Sequence, residues 1–148
     1  MNLKELNQLF QRDLEKLGLE LQAYLIEENL WIVDKGITNC AGNLTLHIFG
    51  NLRHFIGLDL GGIAYQRNRE FEFAGKEVPL INLLAELDEV KKIVSTSLLG
   101  LNPARMGDKS LHAFFGHQMS IGFFLIHLYG HLNYHLGQVN YHRRLLGG

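Results

Sequence analysis

The chain has a single cysteine, Cys40, among 148 residues. That excludes an intramolecular disulfide and fits a reducing compartment. Neither sign of charge dominates: 14 Lys+Arg against 15 Asp+Glu give a formal net charge of -1. A nucleic-acid binder would carry a basic excess, and there is none. No apolar run approaches the roughly 20 residues of a membrane span; the most apolar stretch, residues 121–129, is interrupted by His127. The opening Met-Asn-Leu-Lys-Glu-Leu is amphipathic, so it is expected to be helix rather than a secretory signal. No nucleophile sits in a recognisable turn motif, and Gly61-Gly62 lacks the lysine of a phosphate loop. The expectation is a soluble cytoplasmic protein, residues 1–148 folding as one domain.

What is present is apolar spacing by threes and fours. Leu3, Leu6, Phe10, Leu14, Leu17, Leu21 and Tyr24 predict an amphipathic helix over residues 2–28, with Arg12, Asp13, Lys16 and other charges on its outer faces. Residues 28–36 read as a loop in which Trp31 seals one end of the core. Leu44, Ile48, Leu52, Phe55 and Ile56 predict a second helix, capped by Asn39 or Asn43 and stopped by Gly61-Gly62. Pro79 suits the start of a third helix, whose stripe runs from Leu80 to Leu98 before Gly100. A fourth runs from about Ser120 to Leu146. The connections between helices two and three (63–78) and three and four (101–119) are long for a bundle. No alternating strand is evident. The fold class expected is all-α, a four-helix bundle.

Histidine is the unusual residue: four of the eight lie between His127 and His142. At about 100° per residue, His127, His131, His135 and His142 share an inward stripe with Phe124, Leu128, Val139, Leu145 and Leu146. An unpartnered polar group in a core costs a few kcal/mol, so a row of imidazoles there calls for a chemical reason. His131 and His135, four apart, project from one helix face and can hold one metal ion together. A third ligand must come from another helix, and His47 is the candidate. Three imidazoles leave a fourth position open, which can activate a water or thiol or polarise a carbonyl. His127 is an alternative ligand, and Gln138 is a candidate to orient one. His142 reads as structural, and His112 and His117 as loop residues. His54 lies two turns from His47, too far to share its ion.

The segments Leu46-His-Ile-Phe-Gly-Asn-Leu-Arg-His-Phe55, Arg67-Asn-Arg-Glu-Phe71 and His131-x-x-x-His135-x-Gly-Gln138 together resemble the DinB/YfiT-like superfamily over residues 40–145. The resemblance implies a four-helix bundle, often dimeric, with His47, His131 and His135 as metal ligands. Zinc, nickel, cobalt, copper and ferrous iron all accept imidazole, and zinc or nickel is the expected divalent ion. It also implies a metal-dependent enzyme acting on a small molecule, either an S-transferase using a low-molecular-weight thiol or a hydrolase. This chain is most similar to a branch without assigned activity. Arg53, Arg67 and Arg69 are the candidates to meet an anionic substrate or the carboxylate of a thiol. Alternatively, Arg67 and Arg69 pair with Glu70 and Glu72 on the surface. A second apolar stripe, Leu125, Tyr129, Leu132 and Leu136, needs a neighbouring helix or a second subunit, and a homodimer is expected. The competing reading is a non-catalytic dimeric bundle, with structural histidines, that serves as an interaction or stress-response module.

Overall fold

The computed structural model describes every residue except Lys35 and Phe115, and the backbone but not the side chain of Phe114. Among the described residues there are five α-helices and one small two-stranded sheet. The helices are α1 (Leu3–Gln22), α2 (Ala41–Leu52), α3 (Arg69–Ala74), α4 (Leu80–Gly100) and α5 (Ile121–Leu146). Helices α1 and α2 each pack against both α4 and α5, and the core lies between these four.

Each helix begins where local chemistry satisfies its free N–H groups. The Asn2 side chain accepts from Lys4 N and Glu5 N to start α1. Every apolar residue predicted for the inner face, Leu3 to Leu21, is buried, as is Tyr24 beyond the helix end. Asp13 departs from the expectation of an outer position and is fully buried. It accepts from Arg12 and from the Tyr129 hydroxyl at 2.6 Å, which ties α1 to α5. Burial raises its carboxyl pKa, but hydrogen bonds from Arg12, Tyr129 and Lys16 outweigh that and hold it well below the usual range.

Neither asparagine caps α2. Cys40 does, its Sγ accepting from Asn43 N at 3.5 Å. All twelve residues of α2 are buried, so it is covered on every side. Trp31 lies over Gly42 and packs, partly buried, against the core. Past Leu52 the helix widens into a π-helical segment, Arg53–Leu58, and the chain leaves it through Gly62 at φ +66.

Two expectations for the connections are corrected. The stretch 63–78 contains α3, which packs on α2. The stretch 101–119, with Ser120, contains an antiparallel hairpin, β1 (Lys109–Phe114) with β2 (His117–Ser120), where no strand was expected. Pro79 is the residue before α4 rather than its first, and Glu27 Oε1 accepts from Leu80 N at 2.7 Å.

On α5 the buried line is Phe124, Leu125, Leu128, Leu132, Leu136, Val139 and His142. The stripe through Leu125, Leu132 and Leu136 is therefore buried within one chain and gives no argument for a second subunit. Leu145, expected inward, is 77% exposed. His127, His131 and His135 are half-buried along the edge of the core rather than at its centre. None of the described helices is long and apolar enough to cross a membrane.

Candidate metal centre

Helix α2 is buried all round, so the ring of His47 is carried inside the molecule, with the residue only 6% exposed. Helix α5 packs beside it and brings His131 and His135 to the same point. His131 Nε2 lies 3.1 Å from His47 Nε2 and 3.1 Å from His135 Nε2. The edge of a tetrahedral zinc site with three imidazoles is about 3.3 Å, given Zn–N bonds near 2.0–2.1 Å. Two of the three spacings thus match what one ion requires, the three ligand atoms all lie within 4.8 Å of one another, and the three residues could hold an ion.

The outer nitrogens fix which lone pairs face inward. His135 Nδ1 donates to Gln138 Oε1 at 2.7 Å, so its Nε2 carries a lone pair. Both Glu72 Oε2 and Arg67 Nη2 lie 3.5 Å from His47 Nδ1. The carboxylate is the stronger partner, because Arg67 already grips Glu72 from Nε at 2.8 Å and Nη2 at 3.0 Å. Nδ1–H of His47 then faces Glu72, and its Nε2 also presents a lone pair. Two lone pairs converge on the Nε2 of His131, which has at most one proton to share. A cation between the rings resolves that arrangement. Orientation of ligand imidazoles by a carboxylate or an amide oxygen is what such sites use.

Burial pushes the His131 pKa down to about 3, helped by the neighbouring rings of His135, His47 and His127 and by Arg67. Burial also lowers His135, aided by His47, although the hydrogen bond with Gln138 opposes the shift. Near neutral pH both rings are uncharged, as metal ligation demands. For Glu72, burial raises the pKa, but hydrogen bonds from His47 and Arg67 prevail and keep it below the usual carboxylate range.

Glu72 was not foreseen as part of the centre. It reaches His47 because α3 rests on α2, pinned by Asn43 Nδ2, which donates to Glu72 O at 3.0 Å and Gly75 O at 2.7 Å. It also needs Gly50: a Cβ there would stand 1.8 Å from Glu72 Oε1. A pair between partly buried Arg67 and buried Glu72 replaces the surface pairing that the sequence suggested.

The remaining candidates divide. Arg67 is at the centre, committed to Glu72. Arg69 is exposed, its guanidinium 5.7 Å over the ring of Phe73, which itself packs on His47 at 4.8 Å. Arg53 lies over Tyr65, with Nε 3.5 Å from Glu86 Oε1 and no hydrogen-bond geometry there. His127 stacks on Phe124 at 6.1 Å and is outside the three-ring group. His142 is structural and buried: Nδ1 meets the Tyr24 hydroxyl at 2.6 Å and Nε2 meets Ile32 O at 2.9 Å. Gln138 also borders a cavity of about 460 Å³ between the end of α5 and residues 36–39. The chain matches none of the known protein families and none of the curated proteins with which it was compared.

Two outcomes are expected. The folded His131 pKa lies below its unfolded value of about 6.5, so between roughly pH 3 and 6.5 the unfolded chain binds the extra proton. The metal-free protein keeps this contribution above about pH 6.5 and loses it as acid is added. Urea midpoints measured from pH 7.5 to 4 should fall for wild type, and the fall should be shallower for His131→Ala. Gly50→Ala should push Glu72 off His47 and weaken zinc binding about 10-fold. Calorimetric titration giving wild-type affinity for Gly50→Ala would contradict this role of Glu72.

Proposed function

We propose that the chain is a DinB-like four-helix bundle and a metal-dependent enzyme of the cytoplasm, acting on a small molecule. His47, His131 and His135 bind one divalent transition ion, zinc or nickel, and leave a fourth position for water or a low-molecular-weight thiol. The observation that carries the reading is the placing of His131 Nε2 3.1 Å from the Nε2 atoms of both His47 and His135, with His135 backed by Gln138 and His47 by Glu72. A bound ion supplies Lewis acidity at its open position. The chain's own residues do the rest. Gln138 holds His135 in one tautomer. Glu72, gripped by Arg67, does the same for His47. Burial keeps His131 and His135 uncharged.

Among the three arginines, Arg69 best supports an anionic thiol or substrate, because it is exposed and no carboxylate among the described residues pairs with it. Arg67 positions Glu72, and Arg53 sits against Tyr65 and Glu86. The reading includes a homodimer. The surface that suits it is the outer face of α5, where Phe123, Ile126, Tyr134 and Tyr141 are 52, 58, 66 and 64% exposed.

Protein purified without a histidine tag should carry bound transition metal. His47→Ala and His135→Ala should each hold about one equivalent less, since loss of a ligand removes most of the binding free energy. Equal metal in all three would remove the ligand set. With loaded protein, turnover of an electrophile panel only with added thiol identifies a transferase. Turnover of esters without thiol identifies a hydrolase. No turnover on either leaves the non-catalytic bundle. Static light scattering at tens of micromolar should give the dimer mass; a monomer would end the dimer reading.

A further inference from the structure

A second group of metal-ligating side chains lies outside the centre just described. His54, Asp59 and His112 each offer one ligand atom, and the three atoms lie within 4.8 Å of one another. We propose that these residues form a second site for a divalent first-row transition ion, separate from the three-histidine centre. Nothing in this proposal depends on the activity proposed above.

The backbone supplies the first argument. His54 and Asp59 are five residues apart. On an α-helix that separation turns through about 140° and puts the side chains on different faces. Here the segment Arg53–Leu58 is π-helical, and Asp59 N donates to His54 O at 3.1 Å, an i to i+5 bond. The wider turn stacks Asp59 one turn beyond His54. Such π segments are rare and concentrate at functional sites.

The second argument is polar satisfaction. His112, on β1, places Nε2 2.7 Å from Asp59 Oδ2. The pair is largely shielded, with side-chain exposures of 31% and 12%. His54 Nδ1 is buried and has no hydrogen-bond partner among the described residues. Buried imidazole nitrogens are normally partnered. A cation held by Asp59, His112 and His54 would bring the unsatisfied ring into use.

Chemistry sets the ligand class. Two imidazoles and one carboxylate are the donor set of catalytic zinc and non-haem ferrous sites, with a position left open. Asp59 and His112 also border a cavity of about 100 Å³. Lys109 and Arg105 line that cavity too, Arg105 also pairing with Asp108, so Lys109 is placed to meet an anionic ligand on the ion. Around a tetrahedral ion, with ligand atoms about 3.3 Å apart, the His112–Asp59 contact of 2.7 Å would open slightly and the His54 nitrogen, within 4.8 Å of both, would adjust, which rotation of the His54 and His112 side chains can supply.

The test is zinc titration of the full-length, metal-free protein by calorimetry, with circular dichroism to check folding. Wild type should bind two equivalents. Asp59→Asn, which keeps size and loses the charge, and His112→Gln should each bind one. The His131→Ala/His135→Ala double variant should also bind one, and adding Asp59→Asn to it should weaken that remaining binding at least 10-fold. In the same double variant loaded with cobalt(II), the visible absorption should vanish on Asp59→Asn. Wild-type stoichiometry retained by both Asp59→Asn and His112→Gln overturns the proposal, whatever the histidine double variant does. Loss of an equivalent on His131→Ala/His135→Ala alone leaves the three-histidine centre standing and this site refuted.

Discussion

The structure turns on the close approach of two helices that carry the wrong kind of side chain for a core. Helices α2 and α5 bring three imidazoles together, with the Nε2 lone pairs of His47 and His135 each facing His131 Nε2 at 3.1 Å. A buried polar group without a partner costs about 1–3 kcal/mol. Ligation of zinc in small structural sites is worth about 10–16 kcal/mol. The second quantity dwarfs the first, so a modest penalty in the empty state is compatible with firm binding in the loaded one. Burial does two jobs at this point. It keeps His131 uncharged, with its pKa near 3. It also lowers the local dielectric, which strengthens the grip of Glu72 on His47 and of Arg67 on Glu72.

Much of the molecule serves to hold Glu72 where it is. Asn43 ties the carbonyls of Glu72 and Gly75 to α2. Gly50 leaves the space that the carboxylate fills. Arg67 covers it with three hydrogen bonds and lies 5.6 Å over the ring of Phe55. A short helix of six residues has little stability of its own. These contacts, rather than helix propensity, set its position.

The sequence made four of the five helices and the pairing of His131 with His135 legible because both follow helical spacing. Leu3 to Tyr24 and Leu83 to Leu98 repeat it over several turns, and His131 and His135 stand one turn apart. Glu72 was not legible. Its importance comes from a contact 25 residues away in the chain, and Arg67, Arg69 and Glu70 around it look like any solvated charge cluster. The same holds for Asp13, whose burial depends on a hydroxyl from Tyr129 on another helix. The π turn at Arg53–Leu58 changes the period for a single turn, too briefly to register in a helical pattern, so His54 and Asp59 seemed unrelated. His112 belonged to a stretch without alternation because its hairpin is short and irregular in register. The hydrophobic line on α5 was displaced for a related reason. Its histidines sit at the edge of the core, so angular position alone could not separate them from the leucines that fill it.

The most direct test is a crystal structure of Asp59→Asn protein soaked in zinc, with anomalous differences measured at the zinc edge. One peak is expected about 2.0–2.1 Å from the Nε2 atoms of His47, His131 and His135, with His135 Nδ1 still on Gln138 Oε1. An absence of anomalous density there, with the three rings in unchanged contact, would contradict the account.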